Sequence, residues 1–141
     1  MSPEYWGKPA WDFLHSVTLG YPENPTPEDK QNYYTFFMSL QNVLPCGKCR
    51  RGLTQHIQQY PLTDQALSTR NNLIQWLIDI HNIVNYYNGK PVLSYEEAMT
   101  EINNIGKSED NDDCNIWYII SIALAIIIIL LLIYCCYKKK N

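Results

Sequence analysis

From Ile116 to Tyr137 the chain runs 22 residues, IWYIISIALAIIIILLLIYCCY, without one charged side chain. At about 1.5 Å rise per residue a helix of this length covers about 33 Å, enough to cross a hydrocarbon core of about 30 Å. Trp117 and Tyr118 at one end and Tyr134 and Tyr137 at the other stand where interfacial aromatics stand. A buried core helix is the competing reading. It fits poorly, because every face is apolar and the rest of so short a chain could not wrap it. A C-terminal transmembrane helix is therefore expected over 116–137, with a basic tail at 138–141.

What remains is one domain's worth of sequence. The chain has 141 residues and a net charge of −3. Three of its eleven Lys and Arg are Lys138, Lys139 and Lys140, whereas all fourteen Asp and Glu precede the apolar run. Residues 1–115 are thus net acidic. That argues against a sequence-blind nucleic-acid binder, which needs a basic face to displace counterions. The length also excludes a dinucleotide-binding unit joined to a separate substrate domain.

The side on which the domain lies is read two ways. Met1 to Leu19 contains Glu4, Lys8, Asp12 and His15 and no apolar signal region. Four residues follow the span, as in tail-anchored proteins, which leaves residues 1–115 facing the cytosol. The basic tail and the acids Glu109, Asp110, Asp112 and Asp113 argue for the opposite orientation. The cytosolic side is slightly favoured, on an endomembrane or virion membrane.

Along residues 1–115 the pattern is helical throughout. Trp6, Ala10, Phe13, Leu14 and Val17 recur at helical spacing over 2–20. Prolines 22, 25 and 27 then forbid continuation. Thr26 is a natural N-cap, with Pro27 at the first helical position and Asp29 at the third. The second helix runs to about Val43 and is expected to bury Tyr33, Phe36, Phe37, Leu40 and Val43. Cys46-Gly47-Lys48-Cys49 opens an amphipathic stretch to about Gln59. Residues 70–88 form the strongest helix, with Leu73, Ile74, Leu77, Ile80, His81 and Val84 on one side. Asn88-Gly89-Lys90-Pro91 ends it. Ser94 caps a short helix at 95–103, and 104–115 reads as an acidic, polar tether. No strand alternation or repeat is visible. The expected fold is all-α: a four-helix bundle with a short fifth helix, plus the transmembrane helix.

Of the five cysteines, Cys46 and Cys49 alone make a motif; Cys114 is single, and Cys135 and Cys136 lie at the far end of the apolar run. A C-x-x-C at a helix start puts two sulfurs within disulfide reach. The helix N-terminus, Lys48, Arg50 and Arg51 favour thiolate and fast exchange. A structural cysteine pair is the plain alternative. Zinc needs four ligands, and Cys46, Cys49 and His56 supply three. A thioredoxin-type motif needs a preceding strand, and a helix precedes here.

A second constellation lies elsewhere. His81 and Asn85 are i,i+4 on one helix, as are Trp11 and His15 on another. Each pair alone reads more simply as a satisfied polar group of the core. Together they are rich equipment for a small core, and they suit a flat heteroaromatic cofactor: rings to stack, His and Asn to hydrogen-bond, a lysine for phosphate.

These motifs, in this order, resemble the Erv/ALR family of FAD-linked sulfhydryl oxidases. The resemblance spans about residues 6–103. It rests on Gly7-Lys8-Pro9-Ala10-Trp11-Asp12-Phe13-Leu14-His15, on Tyr21-Pro22 with Pro25-Thr26-Pro27, on Cys46-Gly47-Lys48-Cys49, and on His81-Asn82-Ile83-Val84-Asn85 through Lys90-Pro91. The compact size and anchor are most like members from large DNA viruses. The resemblance implies a catalytic Cys46–Cys49 pair, Cys46 exchanging with incoming thiols and Cys49 lying against the flavin. It implies FAD held by Gly7, Lys8, Trp11, His15, His81, Asn82, Val84, Asn85 and Lys90, with no metal. It further implies oxygen as acceptor, a thioredoxin-like or other dithiol protein as donor, and a homodimer. Three departures stand out. Lys8 occupies a place where the family often has Arg. The positions of a second, helix-tying disulfide are Ile78 and Tyr95. No second cysteine pair outside the active site forms a shuttle, which leaves Cys114 of a neighbouring subunit as a possible relay. The rival class is a non-catalytic, membrane-anchored interaction module with a structural disulfide.

Overall fold

The computed structural model describes residues 1–105 and 118–130, which belong to two separate units. The first holds five helices: α1 (Pro3–Leu19), α2 (Pro27–Val43), α3 (Gly47–Gln59), α4 (Arg70–Tyr87) and α5 (Tyr95–Asn103). Among the described residues there is no strand. The all-α expectation holds, with each boundary within two residues of its sequence reading.

The boundaries fall where local chemistry puts them. Thr26 and Asp29 form a reciprocal capping box at the start of α2, and Ser94 and Glu97 do the same for α5. Thr69 caps α4 through the amide of Asn72. At the other end of α4, Gly89 takes φ 65°, the left-handed conformation that stops a helix at little cost to glycine.

The helices pack around α4, which touches α1, α3 and α5, while α2 leans on α3. The main core joins Leu14, Phe37, Leu53, Ile57, Leu73, Trp76, Leu77 and Ile80. Tyr21 is fully buried there, its hydroxyl donating to the Leu67 carbonyl at 2.8 Å. Arg70 fastens the same loop, donating through Nε to the Tyr21 carbonyl and pairing with Glu23 at 2.8 Å. A second cluster packs Ile74 and Ile78 of α4 against Ala98 and Ile102 of α5, with Tyr95 alongside. The two positions where the resemblance places a second disulfide, Ile78 and Tyr95, thus share an apolar cluster.

One expectation is corrected: Val43, expected to be buried, is 66% exposed, and the apolar Phe13 of α1 is likewise 58% exposed. Phe13 meets the edge of Phe36 rather than the core, and Val43 is the last residue of α2, where the helix runs out past its neighbours. The amide of Ile105 donates to the Ile102 carbonyl, and its side chain packs on the second cluster.

Residues 118–130 are helical and exposed. Among the described residues no helix is long and apolar enough to cross a membrane. The rest of the expected span, the tether from 106 to 115, Cys114, Cys135, Cys136 and the basic tail lie outside the described residues.

Candidate active site

α3 opens on the cysteine pair. Cys46 and Cys49 form a disulfide with their Cα atoms 5.1 Å apart. Cys46 is also the N-cap of α3: its Sγ accepts from the amide of Cys49 at 3.2 Å. Both residues are half-buried. The approach to this turn is held by Arg50, whose guanidinium reaches back to donate to the Leu44 carbonyl. Arg50 Nη2 and Arg51 Nη1 both come to 3.7 Å of the point that a Cβ on Gly47 would occupy. The turn between the sulfurs is therefore covered by two guanidinium groups.

The second constellation forms where α1 crosses α4. The indole of Trp11 stacks on the imidazole of His81, with centroids 4.0 Å apart and planes 10° from parallel. His15 Nε2 and His81 Nδ1 share a hydrogen bond of 3.1 Å. Burial pushes both imidazoles down to about 4; for His81 the neighbouring His15 and Lys90 add to the effect. Both are therefore neutral near pH 7, and one of the two facing nitrogens carries the shared proton. The other nitrogen of His15, Nδ1, is buried and has no hydrogen-bond partner among the described residues, and the same holds for Trp6 Nε1. A buried polar atom without a partner costs about 1–3 kcal/mol, so these atoms point to a ligand that satisfies them.

The remaining expected cofactor residues divide. Lys90 is placed by the turn after α4, its amide donating to the Asn85 carbonyl at 2.9 Å, and its charge reaches His81. Lys8 lies exposed on α1 and pairs with Asp12 at 2.8 Å. Gly7 is half-buried, with no heavy atom within 4 Å of where a Cβ would stand. The Val84 carbonyl accepts from Asn88 Nδ2 at 2.7 Å, so its backbone serves the helix end. Asn82 turns away from the histidines. Its Nδ2 donates to the Leu93 carbonyl at 2.8 Å and its Oδ1 accepts the Leu93 amide at 3.0 Å. Its amide thus clamps the segment leading to α5.

Two further placements bear on the alternatives. His56 does not join the cysteines as a ligand; it stacks on Tyr87 of α4 with centroids 5.2 Å apart. Among the described residues no three His, Cys, Asp or Glu side chains are gathered to hold a metal. A shallow cleft of about 400 Å³ between the end of α3 and the start of α4 contains none of the expected residues. Sequence reasoning missed the His56–Tyr87 stack and the Tyr21 anchor; neither follows a local spacing.

Flat aromatic faces, an unpartnered buried imidazole nitrogen and a lysine beside them fit a planar heteroaromatic group carrying phosphate. Comparison with known proteins agrees. A model of the Erv1 / Alr family matches residues 8–104. A probable FAD-linked sulfhydryl oxidase of Acanthamoeba polyphaga mimivirus is 53% identical over 140 residues, with 99% of this chain and 98% of that protein covered. The FAD-linked sulfhydryl oxidase ERV2 of Saccharomyces cerevisiae is 31% identical over 86 residues. That match takes in 61% of this chain and 42% of the yeast protein. Among solved structures, the yeast Erv1 core is similar at a TM-score of 0.61 and 28% identity, over 67% of this chain and 77% of that one.

Proposed function

The chain belongs to the Erv1 / Alr family, and from that premise we infer that it is an FAD-dependent thiol oxidase. It converts dithiols to disulfides, with oxygen reduced to hydrogen peroxide. One observation carries the reading in this chain. A disulfide opens α3, and Trp11 stacks on His81 where α1 crosses α4, beside the unpartnered Nδ1 of His15; α1 and α3 both pack on α4.

Trp11, His15 and His81 would hold the ring system, and Lys90 and Lys8 the phosphates, with Gly7, Val84 and Asn85 lining the approach. Asn82 would act through the Leu93 segment. FAD, when bound, supplies the two-electron acceptor between the thiols and oxygen.

The protein's own chemistry is thiol–disulfide exchange. A substrate thiolate attacks Cys46 Sγ, a mixed disulfide forms, and Cys49 leaves as thiolate. The second substrate thiol loses its proton and displaces Cys46, so the substrate leaves with one new disulfide. Both cysteines are then reduced and two protons are released to solvent. The Cys49 amide donates to Cys46 Sγ, so negative charge on that sulfur has a donor in place. His15 and His81, neutral and buried, bind rather than carry protons.

Finer readings accompany this. The 116–137 run acts as a membrane anchor, supported by the uninterrupted, exposed apolar helix at 118–130, with the catalytic domain on the cytosolic side of an endomembrane or virion membrane. A homodimer forms through Phe13 and α2, supported by the exposed Phe13 against Phe36 and by Tyr34, 42% exposed. Viral origin is supported by the full-length match to the mimivirus protein. The donor is a small dithiol protein.

The purified full chain in detergent is expected to be yellow, with a flavin band near ~450 nm and FAD released on denaturation. It consumes oxygen with dithiothreitol, and Cys49→Ser abolishes this. A colourless protein that takes up no FAD overturns the reading in favour of a non-catalytic module. Protease cleavage at 106–115 in intact membranes tests the orientation.

A further inference from the structure

α3 begins with charge of the wrong sign for a helix. Helices α1, α2 and α5 carry acids in their first turns: Glu4; Glu28 and Asp29; Glu96 and Glu97. α3 and α4 carry none there; α4 opens on Arg70, which pairs with Glu23, whereas α3 follows Cys46 with Lys48, Arg50 and Arg51. A cation beside a helix N-terminus opposes the helix dipole. Helical side chains lean toward the N-terminus, and Arg50 and Arg51 do so, reaching the Gly47 position between the two sulfurs. Arg50 is partly engaged by the Leu44 carbonyl. Lys48 and Arg51 are exposed. The ion pairs among the described residues are Lys8–Asp12 and Arg70–Glu23, so no carboxylate there answers any of the three. A net-acidic domain therefore presents a cationic rim, with no carboxylate paired to it among the described residues, at the turn where substrate would arrive.

We propose that Lys48, Arg50 and Arg51 form a collar that selects protein dithiols flanked by Asp or Glu. The inference rests on the oxidase reading and names the substrate class of the same disulfide. The reaction is unchanged: the incoming thiolate bonds to Cys46, the Cys46–Cys49 bond breaks, and the substrate leaves as a disulfide. The collar acts earlier, on encounter. Opposite charge raises association rates by factors of ten or more and loses this effect as salt screens it.

The test uses the FAD-loaded full chain in detergent with three probes: dithiothreitol, a Cys-x-x-Cys peptide flanked by glutamates, and the same peptide flanked by lysines. At ~50 mM salt the acidic peptide is expected to exceed the basic one in kcat/KM by about tenfold or more. At ~500 mM salt the two converge to within about twofold, while dithiothreitol changes by less than about twofold. The double variant K48E/R51E reverses the ranking of the peptides. Oxidation of dithiothreitol with equal rates for both peptides overturns the collar and leaves the oxidase reading standing. So does a ranking that survives K48E/R51E. If anionic vesicles slow both peptides alike and the ranking is flat, the rim meets lipid and the proposal fails. A protein that oxidises none of the probes overturns the oxidase reading and the collar with it.

Discussion

The two sides of α4 make opposite kinds of contact. Toward α5 it presents Ile74 and Ile78, buried among Ala98, Ile102 and Tyr95 with nothing polar between them. Toward α1 it presents His81, stacked under Trp11 and bonded to His15, whose Nδ1 is left without a partner among the described residues. The first contact is a plain gain in buried area. The second carries desolvated imidazoles that folding alone gives no reason to keep. One helix thus separates what holds the domain together from what it is for, and substitutions on the two sides should fail differently.

The largest effect is expected on the polar side. Replacing His15 and His81 together by Leu removes flavin and lowers oxygen consumption with dithiothreitol by at least ~100-fold. Because both partners of the buried bond go at once, the flavin-free domain should melt no lower than the unsubstituted flavin-free protein. A double variant that purifies yellow breaks the comparison.

On the apolar side the order reverses. Ile78→Ala costs about 2–5 kcal/mol, a fall in melting temperature of about 10–20 °C for a domain of this size. The flavin content of the protein that remains folded should not change. Equal flavin loss in both variants would mean that the two sides of α4 are not independent.

Acid separates them next. His15 and His81 are held to about 4 in the folded domain, well below their ordinary value of 6.5. As pH falls from 7, the unfolded chain takes up these protons before the folded one does. Stability contributed by the neutral pair is complete above about 6.5, declines through that window and is lost by about 4. The loss, on the order of a few kcal/mol in flavin-free protein, is measured by denaturant titration at several pH values. The His15→Leu/His81→Leu protein should show less of this slope.

The smallest effect sharpens the boundary between the sides. Asn82→Ala removes both hydrogen bonds to Leu93 and costs about 1–2 kcal/mol. It should expose the Leu93 amide to hydrogen exchange while the absorption spectrum of bound flavin stays unchanged. A spectral shift would return Asn82 to direct contact with the cofactor.

Much of this was legible in the sequence because the relevant signals are local. Thr26-Pro27 with Asp29, Ser94 with Glu97, and Asn88-Gly89 each place a helix end by chemistry within four residues. Trp11 with His15 and His81 with Asn85 announced two polar faces, and the fold brought Trp11, His15 and His81 together. The rest depended on which neighbour a face meets. Spacing marks Phe13 and Val43 as apolar but says nothing of whether a helix reaches far enough to cover them. Nothing in a linear motif tells whether Asn82 points to a ligand or to the backbone of Leu93. Tyr21, read as part of a turn, is a core residue because its hydroxyl finds the Leu67 carbonyl 46 residues on.

The sulfur of Cys46 does two jobs at once. It closes the first turn of α3 by accepting the Cys49 amide, and in the proposed mechanism it is the atom that an incoming thiolate attacks. The same backbone N–H then faces the charge this sulfur carries once the disulfide opens, so one amide serves both the fold and the exchange.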